Sequence, residues 1–293
     1  MASPRTSATT SPELTGRLAV IVNLAKTWLL LVGASALLGG IGWLLGGYRV
    51  FSIFIFCGLL AAMALYWYAD RVVLGMVGAR ELVETEAAPL FTTATRIAAR
   101  ARMPRPRLYL IRDGHPRVLS AGRGGRGHAL VVSTGLLAAT QPAELEGLIA
   151  HEVAHAARRD LLVQTVAGVI GATLLEASLV GGWFQRGLLF VLGPIASAIE
   201  HALISPRREF AADLRAAALC DSPHGLADAL LRLEHANELV SFAGNPALEP
   251  LYAVNPFEER GLAALFLTHP PTAQRVARLR ALDPDWEQRI QAA

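Results

Sequence analysis

A chain of 293 residues with 27 Lys and Arg against 24 Asp and Glu carries a formal charge of +3, while 53% of its residues are apolar and its mean hydropathy is +0.39. That apolar share is too high for an ordinary soluble domain and points to a chain lying partly in a lipid bilayer. Two cysteines exclude a disulfide framework, and the positive balance sits in arginines beside apolar runs, which gives no footing for nucleic-acid binding.

Residues 1–25 read as a flexible N-terminal tail, because residues 1–16 are rich in Ser, Thr and Pro and cannot bury a core. Residues 26–70 read as a transmembrane hairpin. No charged residue occurs from Thr27 to Tyr48 or from Val50 to Ala69, so each run, as a helix, can cross roughly 30 Å of hydrocarbon. Ala34-Ser35-Ala36 mimics a signal-peptidase site, but the apolar run continues to Tyr48, which favours an uncleaved anchor.

Residues 71–160 form a first globular part. Phe91–Arg102 is expected as a helix, Arg107–Ile111 and Ala129–Ser133 as strands of a small sheet whose exposed edge would pair with an extended polypeptide. The glycines of Gly122-Arg123-Gly124-Gly125-Arg126-Gly127 lack the Lys-Ser/Thr ending of a phosphate loop, so they read as a mobile turn and not as a nucleotide site. Pro142, Glu144 and Glu146 then open a helix that carries His151-Glu152-Val153-Ala154-His155. In this H-E-x-x-H pattern two imidazoles one turn apart can grip one Zn²⁺, and Glu152 leans toward the open coordination position as general base. The alternative is an amphipathic helix with two core histidines. Arg158 and Leu161 stand where a metzincin has Gly and its third His, so that class is excluded.

Residues 161–205 carry a second apolar pair, Leu161–Trp183 and Gly187–Ile204, weakened as membrane spans by Glu176, Glu200 and His201. Glu176 is expected to pack inward; Glu200 and His201 should face protein or the cytosolic boundary, an extra metal contact being a sharper alternative. In residues 206–293 Glu209 is the best carboxylate for a third ligand, with Asp213 one turn on as acceptor for the second ring N–H of a ligating His. Taken alone, the two would read as a solvated acidic face beside Arg207, Arg208 and Arg215. Helix is expected through about Leu239, then loop over 241–256, then an apolar-periodic segment around Val276–Leu282. His115, His128, His224 and His235 read as loop or surface residues. Cys57 lies in an apolar span and Cys220 beyond both pairs, so no disulfide joins them.

The chain resembles the HtpX-type membrane zinc metalloproteases, relatives of the CAAX prenyl endopeptidases. The resemblance covers nearly the whole length: Ala69-Asp70-Arg71-Val72-Val73-Leu74 with Gly78-Ala79-Arg80, Ser133-Thr134-Gly135-Leu136-Leu137, Glu144-Leu145-Glu146-Gly147, the zinc helix, Arg159-Asp160, Arg208-Glu209-Phe210-x-Ala212-Asp213, and Leu265-Phe266-Leu267-Thr268-His269-Pro270-Pro271. It implies a mainly helical α+β, zincin-like integral membrane protease, with His151, His155 and Glu209 as zinc ligands and Glu152 as general base. It also raises Asp213 above the acidic-face reading. It makes His269 a candidate transition-state donor or inhibitory ligand, with a structural turn histidine equally open. Two positions depart from the family pattern: Arg117-Val118-Leu119 replaces Asn-Ala-Phe before the sheet edge, and Pro206 replaces Arg before the ligand helix, suggesting a helix break between membrane and metal.

Arg5, Arg17, Lys26, Arg71, Arg80, Arg158, Arg159, Arg207 and Arg208 flank one side of the spans against Arg49 and Arg186 at the tips. The positive-inside rule therefore places the tail and the catalytic part in the cytoplasm, and with the resemblance this gives a multi-pass protein of the cell (inner or plasma) membrane. Membrane proteins or unfolded segments are the substrates the resemblance implies, together with stress-linked quality control. Two rival readings stand beside it: an intramembrane protease, opposed by the charges bracketing the zinc helix, and a latent zinc-containing membrane scaffold, opposed by the intact Glu152.

Overall fold

Two glycines turn the first apolar stretch back on itself. Helix α1 runs from Pro12 to Met76 but breaks at Gly46 and Gly47, where Gly47 takes φ 63° and ψ −151°, a combination essentially restricted to glycine. The two arms lie against each other: Trp28 stacks on Tyr66 at 5.3 Å between ring centroids, and Gly58 abuts the Cα of Ser35. Their outer surface is left uncovered by the described residues, with Leu44 85% and Leu29 70% exposed, as an anchor facing lipid tails requires. In this computed structural model the described residues are 12–124, 127–179, 185–239, 242, 244–257 and 261–286. Helix from Pro12 onward corrects the expected tail: residues 12–25 extend the first arm, and only residues 1–11 lie outside the described part.

The sheet has strands β1 (Arg80–Glu81), β2 (Arg107–Ile111), β3 (Val118–Gly122) and β4 (His128–Ser133) in the order β1-β2-β4-β3, with β2 and β4 parallel and the other pairs antiparallel. Its two faces serve two cores. Leu108, Leu110, Val118, Leu130 and Val132 join α2 (Ala88–Arg100) and the metal-site helices; Tyr109, Ile111, Leu119, Ala121 and Val131 join the membrane-side helices. Burial on both faces explains strands that read as unbroken apolar runs. The sequence missed β1, which is two residues long, and β3.

Helix α3 (Thr134–Ala139) leads into α4 (Pro142–Arg158), whose start follows its sequence signals: Pro142 sits in the first turn and the Glu144 carboxylate accepts the Gln141 N–H at 2.8 Å. Arg232 grips the same carboxylate through Nε and Nη2 at 2.9 and 2.8 Å, tying α8 (His224–Leu239) to the start of α4. The two helices approach so closely that a Cβ on Gly147 would stand 2.6 Å from the Leu226 nitrogen, and one on Gly225 2.3 Å from the Ala143 oxygen. At its other end α4 stops on Arg159, in the left-handed region at φ 57°, and α5 (Asp160–Leu179) starts at the next residue.

Among the described residues, two helical runs are long and apolar enough to cross a membrane, Leu18–Met76 and Asp160–Ser178. They differ in surroundings: the apolar window is 6% buried in the first and 72% buried in the second, where α5 is wrapped by α1, α6 (Gln185–Leu203) and the 3-10 turn Pro246–Leu251. Much of the apolar character of α5 is thus accounted for by protein packing. The tip between α5 and α6, residues 180–184, lies outside the described part. Glu200 is fully buried against Gly171 and has no hydrogen-bond partner among the described residues, whereas His201 is exposed. Glu176, expected to pack inward, is exposed and accepts a bond from Asn245. Between α6 and α7 (Arg207–Leu219) the axis bends by 50° at Pro206, the break its substitution suggested.

The single helix expected from Glu209 to Leu239 is two, α7 and α8, parted before Pro223, whose ring cannot continue a helix. Helix α9 spans Thr272–Arg280. Two histidines assigned to loops or the surface are buried in regular elements instead, His128 on β4 and His224 at the start of α8, stacked on Trp286; His115 lies in the loop between β2 and β3 as expected, and is buried there. A Gly147→Ala substitution is expected to destabilise the protein by about 1–3 kcal/mol, because the added methyl must push α8 away from α4; thermal unfolding in detergent measures it.

Candidate metal centre

His151 and His155 share one face of α4, and the bend before α7 brings Glu209, in the first turn of that helix, up to both. The Nε2 atoms of the two rings are 3.2 Å apart, and each lies 3.4 Å from a Glu209 oxygen. Donors each about 2.0–2.1 Å from a tetrahedral ion would stand roughly 3.3–3.4 Å from one another; the ring pair is near that spacing, and so is each ring with its own oxygen of Glu209, Oε2 for His151 and Oε1 for His155. All three residues are buried, and neither Glu209 oxygen has a hydrogen-bond donor among the described residues. A buried carboxylate is costly unless cations face it; Arg208 Nε stands 3.2 Å from one Glu209 oxygen and Arg275 Nη2 3.7 Å from the other, and the carboxylate together with the two facing Nε2 atoms forms a donor set that fits a metal ion.

Each ring is held from behind. His151 Nδ1 stands 2.9 Å from Asp213 Oδ1 and His155 Nδ1 3.3 Å from Asp160 Oδ2. With Nδ1–H donated to a carboxylate, the Nε2 lone pair of each ring faces inward. Asp213 does this because it lies one turn beyond Glu209; Asp160 does it because the left-handed Arg159 folds the chain back beneath His155. Asp213 is itself gripped by Arg275 of α9, whose Nε and Nη2 donate at 2.8 and 2.7 Å while Nη1 donates to the Ala253 carbonyl at 2.7 Å. Burial raises the Asp213 carboxyl, but Arg275 and His151 outweigh it and hold it at about 2. Burial likewise lowers the His155 imidazole, and the carboxylates of Glu209 and Asp160 overcome this and raise it to about 9 in the metal-free protein.

His269 is at the wall of this group, with Nδ1 3.3 Å from Glu209 Oε2. Its turn is fixed by Glu249, which accepts from the Thr268 hydroxyl at 2.6 Å and from the Thr268 N–H at 3.2 Å. His269, Arg275 and Glu249 line a cavity of about 850 Å³, with Glu234, Asn237 and Phe257 on its far walls. Glu152 is 2% exposed, and its charge acts on Arg275. The strand edge expected to be open is closed: Leu119 bridges Tyr252, the Ala253 N–H donates to the Val118 carbonyl at 3.2 Å, and the Gly122 N–H donates to Thr165.

The model of peptidase family M48 matches residues 84–283. The chain belongs to that family. Among relatives of this M48 metallopeptidase are proteins named "Protease HtpX homolog" from Pelotomaculum thermopropionicum, 36% identical over 89% of this chain and 99% of the relative, and Thermococcus kodakarensis, 36% identical over 89% and 97%. A third, from Acidiphilium cryptum, is 37% identical over 88% of this chain and 96% of its own length. These matches support the HtpX type within M48.

The sequence-predicted residues His151, Glu152, His155, Glu209, Asp213 and His269 come together here, and the other histidines stay outside the metal group. Asp160, Glu249 and Arg275 were missed as site residues. For Asp160 the signal was its place directly after the H-E-x-x-H helix; for Arg275, an arginine at the start of an apolar-periodic segment. Replacing Arg275 by Met is expected to cost about 3–5 kcal/mol in chemical unfolding, since the Asp213 charge is left buried and unpaired, and adding Asp213→Asn should recover much of the loss.

The raised His155 predicts a pH dependence. Its charge stabilises the metal-free fold fully below the ordinary value of 6.5, and that contribution is lost as pH rises through about 9. Metal uptake at neutral pH must expel this proton, so affinity in chelator competition should rise about tenfold per pH unit above neutrality and level off beyond the folded-state value.

Proposed function

We propose that this chain is a zinc-dependent endopeptidase of the cell inner membrane, cutting membrane proteins or unfolded segments at the cytoplasmic face in membrane-protein quality control. The observation that carries it is the buried grouping of His151, His155 and Glu209, each ring Nε2 3.4 Å from one oxygen of the carboxylate and 3.2 Å from the other ring, with Glu152 beside the first ligand. The α1 hairpin supplies the anchor, residues 71–160 and 206–293 the two parts of the protease domain, and residues 161–205 a second hairpin whose first helix is largely covered by protein. The arginines beside the spans support the orientation. Family membership and the names of the relatives support proteolysis.

His151, His155 and Glu209 would hold Zn²⁺, and zinc in such a site supplies a Lewis acid that activates water and stabilises oxyanion charge. Glu152 takes the proton of the attacking water and returns it to the leaving amine, so no covalent enzyme intermediate is needed. His269 and Arg275, on the cavity wall, are placed to meet charge developing on the peptide carbonyl oxygen. Because the β3 edge is closed at Val118 and Leu119, the polypeptide enters through the cavity beside His269. Glu152→Gln should keep its zinc and lose cleavage of an unfolded reporter by about 10²-fold or more. Full cleavage by that variant would sink the mechanism, and zinc without cleavage in either protein would favour a binding scaffold.

A further inference from the structure

The anchor touches the metal centre. Asn23, on the first arm of α1, donates its side-chain amide to Asp160 Oδ1 and, at 3.2 Å, to the Arg158 carbonyl. Both partners only accept, which fixes the orientation of the amide. The other Asp160 oxygen faces His155 Nδ1 at 3.3 Å and takes Arg158 Nε at 3.0 Å. Asp160 is 2% exposed, so an oxygen deprived of Asn23 has little access to water as a substitute. The arm is held in place around this contact: Lys26 Nζ donates to the Leu203 carbonyl at 2.8 Å, at the end of α6, and the Thr27 hydroxyl bonds back to the Asn23 carbonyl at 2.9 Å.

We infer that Asn23 is a positioning residue of the metal site, acting through Asp160 on His155, so that the first membrane arm contributes to metal affinity as well as to anchorage. The inference rests on the metal reading above. It follows from one unbroken line of bonded groups, arm amide to carboxylate to imidazole, in which each group limits the freedom of the next. Partners that orient a ligating imidazole typically contribute 10–100-fold in metal affinity; Asn23, one bond further out, is expected at the lower end.

The test is zinc affinity of the full-length protein in detergent, read by chelator competition. Asn23→Ala should weaken zinc binding about tenfold, Asn23→Asp, whose carboxylate faces that of Asp160, should weaken it more, and Leu29→Ala on the outward face of the same arm should change nothing. In an Asp160→Asn background, Asn23→Ala should add little further loss. Wild-type affinity in Asn23→Ala, an equal loss in the Asp160→Asn background, or no zinc binding by the wild type would each overturn the inference. Melting of the metal-free variants separates misfolding from lost positioning, since a coupling confined to the ring lowers affinity with little change in melting. Failure of proteolysis with the affinity pattern intact would count against the proposed function alone.

Discussion

Two ring N–H groups bonded to two buried carboxylates set the terms for everything around them. Asp213 behind His151 and Asp160 behind His155 orient the rings and point both Nε2 atoms at Glu209. Each carboxylate must then be balanced in turn, because a buried charge without a partner is costly. Arg275 balances Asp213 from α9, and Arg158 and Asn23 balance Asp160 from the zinc helix and the anchor. Metal site, C-terminal helix and membrane arm are consequently parts of one charge network.

The sheet separates two environments. Alternate residues of β2 and β4 point to the core around the zinc helix and to the core shared with α1 and α5. A shift of one residue in either strand would exchange the two sets. Closure of β3 by Tyr252 and Ala253 completes the partition on the side where a substrate would otherwise pair.

What was legible in the sequence was what depends on local spacing. The i, i+4 histidines, the Pro142 start, the charge-free runs of the hairpin and the break at Pro206 are each decided by a few neighbouring residues. Glu209 was legible mainly through the family resemblance, since on spacing alone it looked like part of an exposed acidic face. Arg275 and Glu249 were not legible, because their partners lie far off in the chain: Arg275 meets Asp213 across 62 positions and Glu249 meets Thr268 across 19. The buried His128 and His224 were misread for the same reason: their burial comes from elements packed on them, not from their flanking residues.

Arg275 holds both Asp213 and the carbonyl of Ala253, one residue along from the bridge that covers the β3 edge. It comes 124 residues after His151. A nascent chain on the ribosome therefore carries its complete H-E-x-x-H helix long before the group that balances Asp213 has been made. Until then Asp213 has no arginine to face it and the Ala253 carbonyl lacks its donor. The metal centre is therefore completed only once the C-terminal helix has been made and packed.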